Sequence, residues 1–343
     1  MNNIYDLSFE DIEEYFLSQG ERSFRAKQIW DGLYKHLYSC WDDFSTIPKL
    51  LREKLQARFS LGSLKEINVI TTADGRTRKS LFKLFDGNLL ESVLLRKSDR
   101  LTLCISTQSG CPVGCIFCAT GNLGFFRNLT GGEIAEQAVY FQRLLKEENN
   151  KLTNIVFMGM GEPFLNYENS LFSVNILNHK NGLNIGARRI TISTIGILDK
   201  IISFADKEIQ VNLSISLHAP NDELRRKLIP LAKSYSVLEL INSCQYYFAK
   251  TQRRVTFEYV LIHGINDQPI HAQQLADLLK TLNSHVNLIA LNPTDHYGGK
   301  APAEDTIKEF GRILLDKGIT LSIRESQGFE IGAGCGQLAG GHS

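Results

Sequence analysis

The chain has 343 residues, of which 43% are hydrophobic and 22% are charged, and its formal net charge is +1. This composition is typical of a packed globular protein, and the near-zero charge makes no case by itself for a nucleic-acid or membrane-surface ligand. No apolar run approaches the ~20 residues of a membrane span, and residues 1–6 are acidic and lack a signal-peptide core. The seven cysteines are an odd number, which argues against a secreted disulfide framework, so we expect a cytoplasmic protein with no membrane partner.

Residues 8–58 show helical periodicity, with apolar side chains recurring around Ile12 and Trp30, and Ser8 followed by Asp11 predicts the first helix start. Residues 65–96 instead predict short strands joined by turns. We therefore expect a helical N-terminal domain over residues 1–60 and a β extension over residues 61–96. Residues 76–100 carry seven basic and three acidic side chains, which fits either a phosphate-binding patch or a solvated sheet face.

From about residue 100, predicted strands and helices alternate, which indicates a parallel sheet because parallel strands need crossover helices. Six such units are too few for a closed eight-fold barrel. We expect an α/β fold with an open six-strand (β/α)6 partial barrel over residues 97–325, followed by a glycine-rich C-terminal loop over residues 326–343. A seventh strand is possible at residues 319–324. The six predicted strands cover residues 101–106, 154–158, 189–193, 211–217, 255–262 and 286–291.

Cys111, Cys115 and Cys118 follow the first of these strands with C-x3-C-x2-C spacing. Three thiolates can bind three irons of a [4Fe-4S] cluster and leave the fourth iron open to a small chelating molecule. A structural zinc site is the alternative, but such sites usually take four ligands and no second cysteine pair follows. The spacing and the aromatic Phe117 resemble the radical S-adenosylmethionine (SAM) signature, in which the open iron binds SAM.

Segments along nearly the whole chain resemble RlmN-type RNA methyltransferases: residues 24–29, 124–130, 158–163, 214–221 and 335–338. The resemblance implies methylation of carbon 2 of adenosine, at position 2503 of 23S rRNA and position 37 of certain tRNAs. It also implies one [4Fe-4S] cluster, two SAM molecules per turnover, and a low-potential electron donor such as flavodoxin or ferredoxin. The sequence does not indicate the oligomeric state, for which a monomer is the default expectation.

By this resemblance, residues near the strand ends bind SAM: Gly161, Glu162, Ser193, Ser216, Leu217, His218 and Asn292. Glu162 can accept a hydrogen bond from the SAM ammonium group, and serine hydroxyls can meet ribose or carboxylate oxygens. The same residues would also suit ordinary turns after strands. His218 could be proposed as a base, but a packing or hydrogen-bonding role is favoured.

The resemblance gives Cys335, Cys104 and Glu91 the catalytic roles. Cys335 accepts a methyl group from one SAM and becomes S-methylcysteine, Cys104 is the resolving thiol that forms a transient disulfide with it, and Glu91 accepts a proton. Without the resemblance, Cys335 is an incidental cysteine in a segment with six glycines among fourteen residues (328–341), and Cys104 is a core residue. Glu91 would then be an outward-facing strand residue.

The implied chemistry explains why two thiols are needed. Carbon 2 of adenine is electron-poor and will not attack the SAM sulfonium group directly. A second SAM instead yields a 5′-deoxyadenosyl radical, which removes hydrogen from the methyl group on Cys335. The resulting radical adds to carbon 2 and links RNA to protein until Cys104 attacks the Cys335 sulfur.

Many members of the family have Asp-Ala-Ala before the last cysteine, whereas this chain has Gly332, Ala333 and Gly334, so we expect a more flexible loop. Three other functions remain open on sequence alone. They are a Cfr-type methyltransferase acting on carbon 8 of the same rRNA adenosine, an activating enzyme that makes a glycyl radical on a partner protein, and a non-catalytic iron-sulfur RNA-binding module.

Overall fold

The computed structural model describes residues 2–340, which form eleven α-helices and fourteen β-strands. The helices are α1 Phe9–Ser18, α2 Phe24–Asp31, α3 Lys49–Arg58, α4 Ala119–Leu123, α5 Gly131–Glu147, α6 Tyr167–Asn178, α7 Leu198–Asp206, α8 Asp222–Leu228, α9 Val237–Thr251, α10 Pro269–Leu279 and α11 Glu304–Asp316. The strands are β1 Asn2–Asn3, β2 Phe59–Ser60, β3 Lys65–Thr71, β4 Thr77–Lys83, β5 Leu89–Lys97, β6 Arg100–Cys104, β7 Gln108–Gly110, β8 Phe125–Asn128, β9 Asn154–Phe157, β10 Ile190–Thr194, β11 Asn212–Ser216, β12 Val255–Leu261, β13 Ser284–Ala290 and β14 Thr320–Arg324.

The N-terminal helices α1 to α3 form their own apolar cluster on the outside of the sheet domain. The predicted start of α1 is confirmed, since Ser8 Oγ accepts from the Asp11 N–H (3.0 Å) and the Asp11 carboxylate accepts from the Ser8 N–H (2.8 Å). This reciprocal capping satisfies two helix-end donors. The cluster around Trp30 also includes Val139 of α5 and Ile176 of α6, so the small helical unit packs against two helices of the main domain.

One ten-stranded sheet organises the rest of the chain, in the order β14-β13-β12-β11-β10-β9-β6-β5-β4-β3. Strand β6 and strands β9 to β14 are parallel, whereas β3 to β5 run antiparallel at the opposite edge. The predicted α/β fold with an open sheet is confirmed, but the sheet is longer than the six strands expected, because the strand at residues 320–324 joins it. The β extension also belongs to this sheet, since β5 pairs directly with β6, and its boundary at residue 96 stays a prediction.

The sheet curls so that its two halves face each other across an interior cavity. Val93 and Cys104 from the β5–β6 side line the same cavity as Ile289 and Arg324 from the β13–β14 side. Side chains therefore alternate along the strands between an outer apolar core, such as Leu213 and Ile215 under the helices, and a polar interior. None of the helices within residues 2–340 is long and apolar enough to cross a membrane.

Candidate active site

A cavity opens at the carboxyl ends of the parallel strands, where ligands of such sheets are usually bound. It brings together residues that are up to 225 positions apart in the sequence, from Cys111 to Gly336. Most of the predicted site residues line it: Cys111, Cys115, Cys118, Gly161, Glu162, Ser193, Ser216, His218, Asn292 and Cys335.

The three cysteines of the motif lie on the loop between β7 and α4. A left-handed turn at Gly114 (φ +67°) and a hydrogen bond from the Cys118 N–H to the Cys115 carbonyl (3.1 Å) shape this loop. Burial raises the pKa of Cys111 to about 12 and also raises the pKa values of Cys115 and Cys118. The free thiols are therefore protonated at neutral pH, and binding an iron centre would displace those protons.

This cysteine loop fits a cluster with several irons. The three thiols line one cavity and pack against an apolar group that includes Val113 and Phe117. Within residues 2–340, no three His, Cys, Asp or Glu side chains converge closely enough to bind a single metal ion. A [4Fe-4S] cluster does not require the three thiols to converge on one ion, because each thiolate binds a different iron.

Gly161 and Glu162 form the wall beside the cysteine loop. Gly161 has a φ of +98°, and a Cβ there would lie 2.5 Å from the Gln108 side chain, so only glycine fits this position. Glu162 is 3% exposed, and its two carboxylate oxygens accept the N–H groups of Phe164 and Ile195, each at 2.9 Å. Burial raises the pKa of Glu162 to about 7. Each oxygen keeps a lone pair for a further donor.

Hydroxyl and imidazole groups complete the polar part of the wall. Ser193 Oγ and Ser216 Oγ lie 3.3 Å apart on neighbouring strands. His218 has a left-handed backbone (φ +58°), and its Nδ1 accepts the Val260 N–H at 3.1 Å. Burial lowers the pKa of His218 to about 3, so the ring is neutral and its Nε2–H is left to donate, which suits a hydrogen-bonding role. Leu217 is fully buried in the main core and does not line the cavity.

The C-terminal segment that carries Cys335 is packed against the rest of the chain, and the greater flexibility expected of this loop stays a prediction. Asn292 Nδ2 donates to the Cys335 carbonyl (3.0 Å), and Thr120 Oγ1 donates to the Leu338 carbonyl (2.6 Å). A Cβ on Gly334 would lie 2.8 Å from Asn292 Nδ2, so this glycine allows the close approach of the segment. Residues 341–343 of the predicted loop lie outside the described residues.

Register places Glu91, Cys104 and Lys79 on the interior face of the sheet. Val93 of β5 is paired with both Cys104 of β6 and Lys79 of β4, and Glu91 lies two residues away on the same face. Lys79 Nζ lies 3.2 Å from Glu91 Oε1 and also donates to the Gly332 carbonyl (3.2 Å). Strand pairing thus brings the predicted proton acceptor and resolving thiol to the C-terminal segment.

Glu91 itself binds that segment. Its Oε2 accepts the N–H groups of Ala339 (2.8 Å) and Gly340 (3.1 Å). Lys79 and Glu91 are 7% and 3% exposed at their side chains, so they form a buried ion pair. Sequence reasoning missed Lys79, because it identified residues 76–100 only as a basic stretch.

Cys104 and Cys335 line a second cavity that adjoins the first. Burial raises the pKa of Cys104 to about 12, and the nearby Cys335 adds to the rise. Cys335 is accessible because it faces both cavities. The surrounding protein nevertheless desolvates its thiol and so raises the pKa of Cys335, whereas the positive charge of Arg324 lowers it. The two thiols therefore share one space.

Basic residues line the outer part of this second cavity and of a third that continues from it. Lys97, Arg100 and Arg324 line the second, and Arg253 and Arg254 line the third together with Arg100 and Arg324. The acidic residues in the two linings are Glu258 and Glu325. The route from solvent to the two thiols is therefore electropositive.

Two sequence profiles match the chain: the Radical SAM superfamily over residues 105–276 and the Ribosomal RNA large subunit methyltransferase N-terminal domain over residues 2–61. A probable dual-specificity RNA methyltransferase RlmN of Clostridium tetani is 46% identical over 338 residues, covering 98% of this chain and 96% of its own length. The protein of the same name from Thermotoga sp. (strain RQ2) is 48% identical, with coverage of 98% and 97%. The crystal structure of a radical SAM methyltransferase from Sphaerobacter thermophilus matches with a TM-score of 0.96 at 46% identity, covering 98% of this chain and 99% of that one.

Proposed function

The chain belongs to the RlmN family of radical SAM RNA methyltransferases, and we propose that it methylates carbon 2 of adenosine at position 2503 of 23S rRNA and position 37 of tRNAs. The observation that carries the proposal is the position of Cys335. It faces both the cavity with Cys111, Cys115 and Cys118 and the cavity with Cys104. A methyl carrier needs access to SAM on one side and to the resolving thiol and RNA on the other.

Radical SAM enzymes use SAM and a [4Fe-4S] cluster, and Cys111, Cys115 and Cys118 would bind that cluster here. When bound, the cluster and SAM supply the one-electron chemistry that activates an unreactive carbon. We propose that the electron comes from a low-potential donor such as flavodoxin or ferredoxin.

Four side chains of the first cavity orient SAM in this proposal. Glu162 accepts a hydrogen bond from the ammonium group of SAM. The hydroxyl groups of Ser193 and Ser216 and the Nε2–H of His218 form hydrogen bonds with oxygen atoms of SAM. Asn292 has two tasks, since it lines the cavity and also donates to the Cys335 carbonyl. Binding of SAM and placement of the methyl carrier are thereby coupled through one amide group.

The thiols act in sequence. Cys335 sulfur takes a methyl group from one SAM as S-adenosylhomocysteine leaves, and a second SAM is consumed when that methyl group is activated and joined to carbon 2. Glu91 would take the carbon-2 proton while one electron leaves the adduct for the one-electron centre that Cys111, Cys115 and Cys118 would hold. Cys104 then attacks the Cys335 sulfur, the carbon–sulfur bond breaks and the freed carbon takes up a proton, so that a disulfide forms as the methylated base is released. Glu91 Oε2 accepts the N–H groups of Ala339 and Gly340, so proton uptake at this oxygen would require the C-terminal segment to shift.

RNA reaches the thiols through the electropositive route in this proposal. Adenine must leave its stack to enter a cavity of this kind, and the flanking phosphates then lie outside it. Arg100, Arg254 and Arg324 offer guanidinium groups to those phosphates. A cytoplasmic location follows from these RNA targets and is part of the same proposal.

Product analysis tests the proposal. Reconstituted enzyme is incubated with SAM, a reductant and either 23S rRNA or tRNA, and the RNA is digested to nucleosides and compared with both methyladenosine standards. We expect 2-methyladenosine from both RNAs. If 8-methyladenosine is the main product, the enzyme is of the Cfr type, and if only a protein partner is modified, the RNA assignment fails.

A further inference from the structure

Arg225 is a fully buried cation behind the cysteine loop. It lies on α8, is 1% exposed, and stacks over the Tyr235 ring at 5.4 Å. Its guanidinium donates to two backbone carbonyls, those of Ile195 and Leu217 (3.3 Å to the latter), and Nη1 finds no hydrogen-bond partner within residues 2–340. No carboxylate of the described chain lies within ion-pair distance of it.

A buried guanidinium without an anion is costly, because arginine cannot lose its proton and removal of the charge from water costs several kcal/mol. The next two residues show the usual arrangement of a basic side chain, which is exposed and paired with a carboxylate. Arg226 is exposed and lies 3.7 Å from the Asp222 carboxylate, and Lys227 is exposed and lies 2.7 Å from the Glu223 carboxylate. Arg225 alone of the three turns into the protein, which indicates that an anion belongs nearby.

Helix α8, which carries Arg225, contacts the cysteine loop. The Ile116 N–H, between two of the motif cysteines, donates to the Leu228 carbonyl of α8 at 3.1 Å. Leu224 and Leu228 of the same helix also pack in one apolar group with the three motif cysteines. The backbone of Ile195 lies between Arg225 and Glu162, since its carbonyl accepts from Arg225 and its N–H donates to Glu162 (2.9 Å). Glu162 is thus linked to Arg225 without being its ion-pair partner.

We propose that Arg225 is the fixed counter-cation of the iron-sulfur cluster held by Cys111, Cys115 and Cys118. Three thiolates give such a cluster a net negative charge, which grows by one when the cluster is reduced. A buried cation therefore stabilises the reduced form more than the oxidised form and raises the reduction potential. Arg225 is a positioning residue in this role, since it contacts neither SAM nor RNA in the proposed function, on which the presence of the cluster rests.

The test compares three variants of the full chain after anaerobic reconstitution. Arg225→Gln removes the buried charge, Arg225→Lys keeps it, and Arg226→Gln removes the exposed neighbouring charge as a matched control. Iron and sulfide content, the electron paramagnetic resonance signal during redox titration, and the thermal unfolding midpoint with and without cluster are measured. None of these readouts depends on RNA methylation.

We expect Arg225→Gln to have a lower reduction potential than the parent, with the ratio of reduced to oxidised cluster at a fixed potential falling at least tenfold, which is 59 mV for one electron. The reduction potential of Arg225→Lys should fall less than that of Arg225→Gln, and the reduction potential of Arg226→Gln should equal that of the parent. Cluster loading should also raise the unfolding midpoint less in Arg225→Gln than in the other proteins, whereas a merely structural role would lower the loaded and cluster-free midpoints equally. Loss of iron from Arg225→Gln alone would support the same role.

Three other outcomes distinguish failure of this inference from failure of the proposed function. If the parent and Arg225→Gln bind equal iron with equal potentials, Arg225 is not the counter-cation and the proposed function stands. If Arg225→Gln does not fold, Arg225→Met, which also removes the charge, is measured in its place, and a reduction potential equal to that of Arg226→Gln overturns the inference. If the parent itself assembles no cluster, the proposed function fails first.

Discussion

Replacement of Lys79 by methionine should release the C-terminal segment that carries Cys335. Lys79 Nζ lies 3.2 Å from Glu91 Oε1 and donates to the Gly332 carbonyl at 3.2 Å. The same Glu91 carboxylate accepts the N–H groups of Ala339 and Gly340. Methionine fills a similar volume but leaves Glu91 a buried carboxylate without its cation.

The magnitude follows from the burial of the pair. Breaking a buried ion pair by removing one partner costs about 3–5 kcal/mol. The two N–H donors still solvate Glu91, so we place the cost at the lower end, about 3 kcal/mol. At about 1.4 kcal/mol for each factor of ten, local opening of the segment should become roughly a hundredfold more frequent.

Hydrogen exchange of the Ala339 and Gly340 amides measures this opening. We expect both amides to exchange roughly a hundredfold faster in Lys79→Met than in the parent. Lys83→Met, at the exposed end of the same strand, is the control and should leave them unchanged. Adding Glu91→Gln to Lys79→Met should recover part of the protection, since it removes the unpaired charge. Parent-like exchange of both amides in Lys79→Met would refute the reasoning.

Three further predictions concern individual side chains. Cys115→Ala should lose the reducible cluster spectrum and SAM cleavage, because two thiolates hold a [4Fe-4S] cluster poorly, and 5′-deoxyadenosine formation at the parent rate would contradict the cluster assignment. Cys104→Ala should accumulate a covalent protein–RNA complex on denaturing gels, whereas Cys335→Ala should give neither complex nor product; normal product formation by Cys104→Ala without a complex would make Cys104 only a packed residue. Burial raises the pKa of Glu162 from 4.5 to about 7, so between these values the unfolded chain is ionised while the folded chain keeps the proton. The free energy of unfolding of the cluster-free protein should therefore fall by roughly 3 kcal/mol as pH rises through this window and level off above it. Denaturant titrations of Glu162→Gln should lack that decline. If the free energy of unfolding of the parent does not fall between these pH values, the Glu162 carboxyl group is not desolvated.

The parts of the site that depend on short-range pattern were predictable from the sequence. The spacing of the three motif cysteines and the position of Glu162 after a strand are local features, and the fold places them on one cavity wall. Leu217 was predicted to line the SAM site together with Ser216. Side chains alternate along a strand, so Ser216 faces the cavity while the Leu217 side chain points outward into the core.

Long-range pairing explains what the sequence could not show. The residues around Glu91 were predicted as strand, but nothing local indicates that β5 joins β6 and so brings Glu91 and Lys79 to the interior. The glycine-rich segment was expected to be mobile because glycine gains most freedom when unfolded. Its partners, Lys79, Glu91 and Asn292, are distant in sequence, so the hydrogen bonds that fix it have no sequence signal.

The burial of Arg225 likewise could not be predicted from the sequence. Arg225, Arg226 and Lys227 look alike in the sequence as a basic run in a short helix, which usually indicates a solvated face. Only the packing of α8 against Tyr235 and the Ile195 loop distinguishes the buried member from its neighbours.

Mass spectrometry of the peptide that contains Cys335 tests the central claim most directly. The protein is reconstituted with its cluster and incubated with SAM in the absence of RNA, and the Cys335→Ala variant is treated in parallel. We expect one methyl group on Cys335 of the parent, none on the variant, and loss of that methyl group when RNA and reductant are added. Methylation of RNA by a parent protein whose Cys335 never carries a methyl group, or equally by Cys335→Ala, would contradict it.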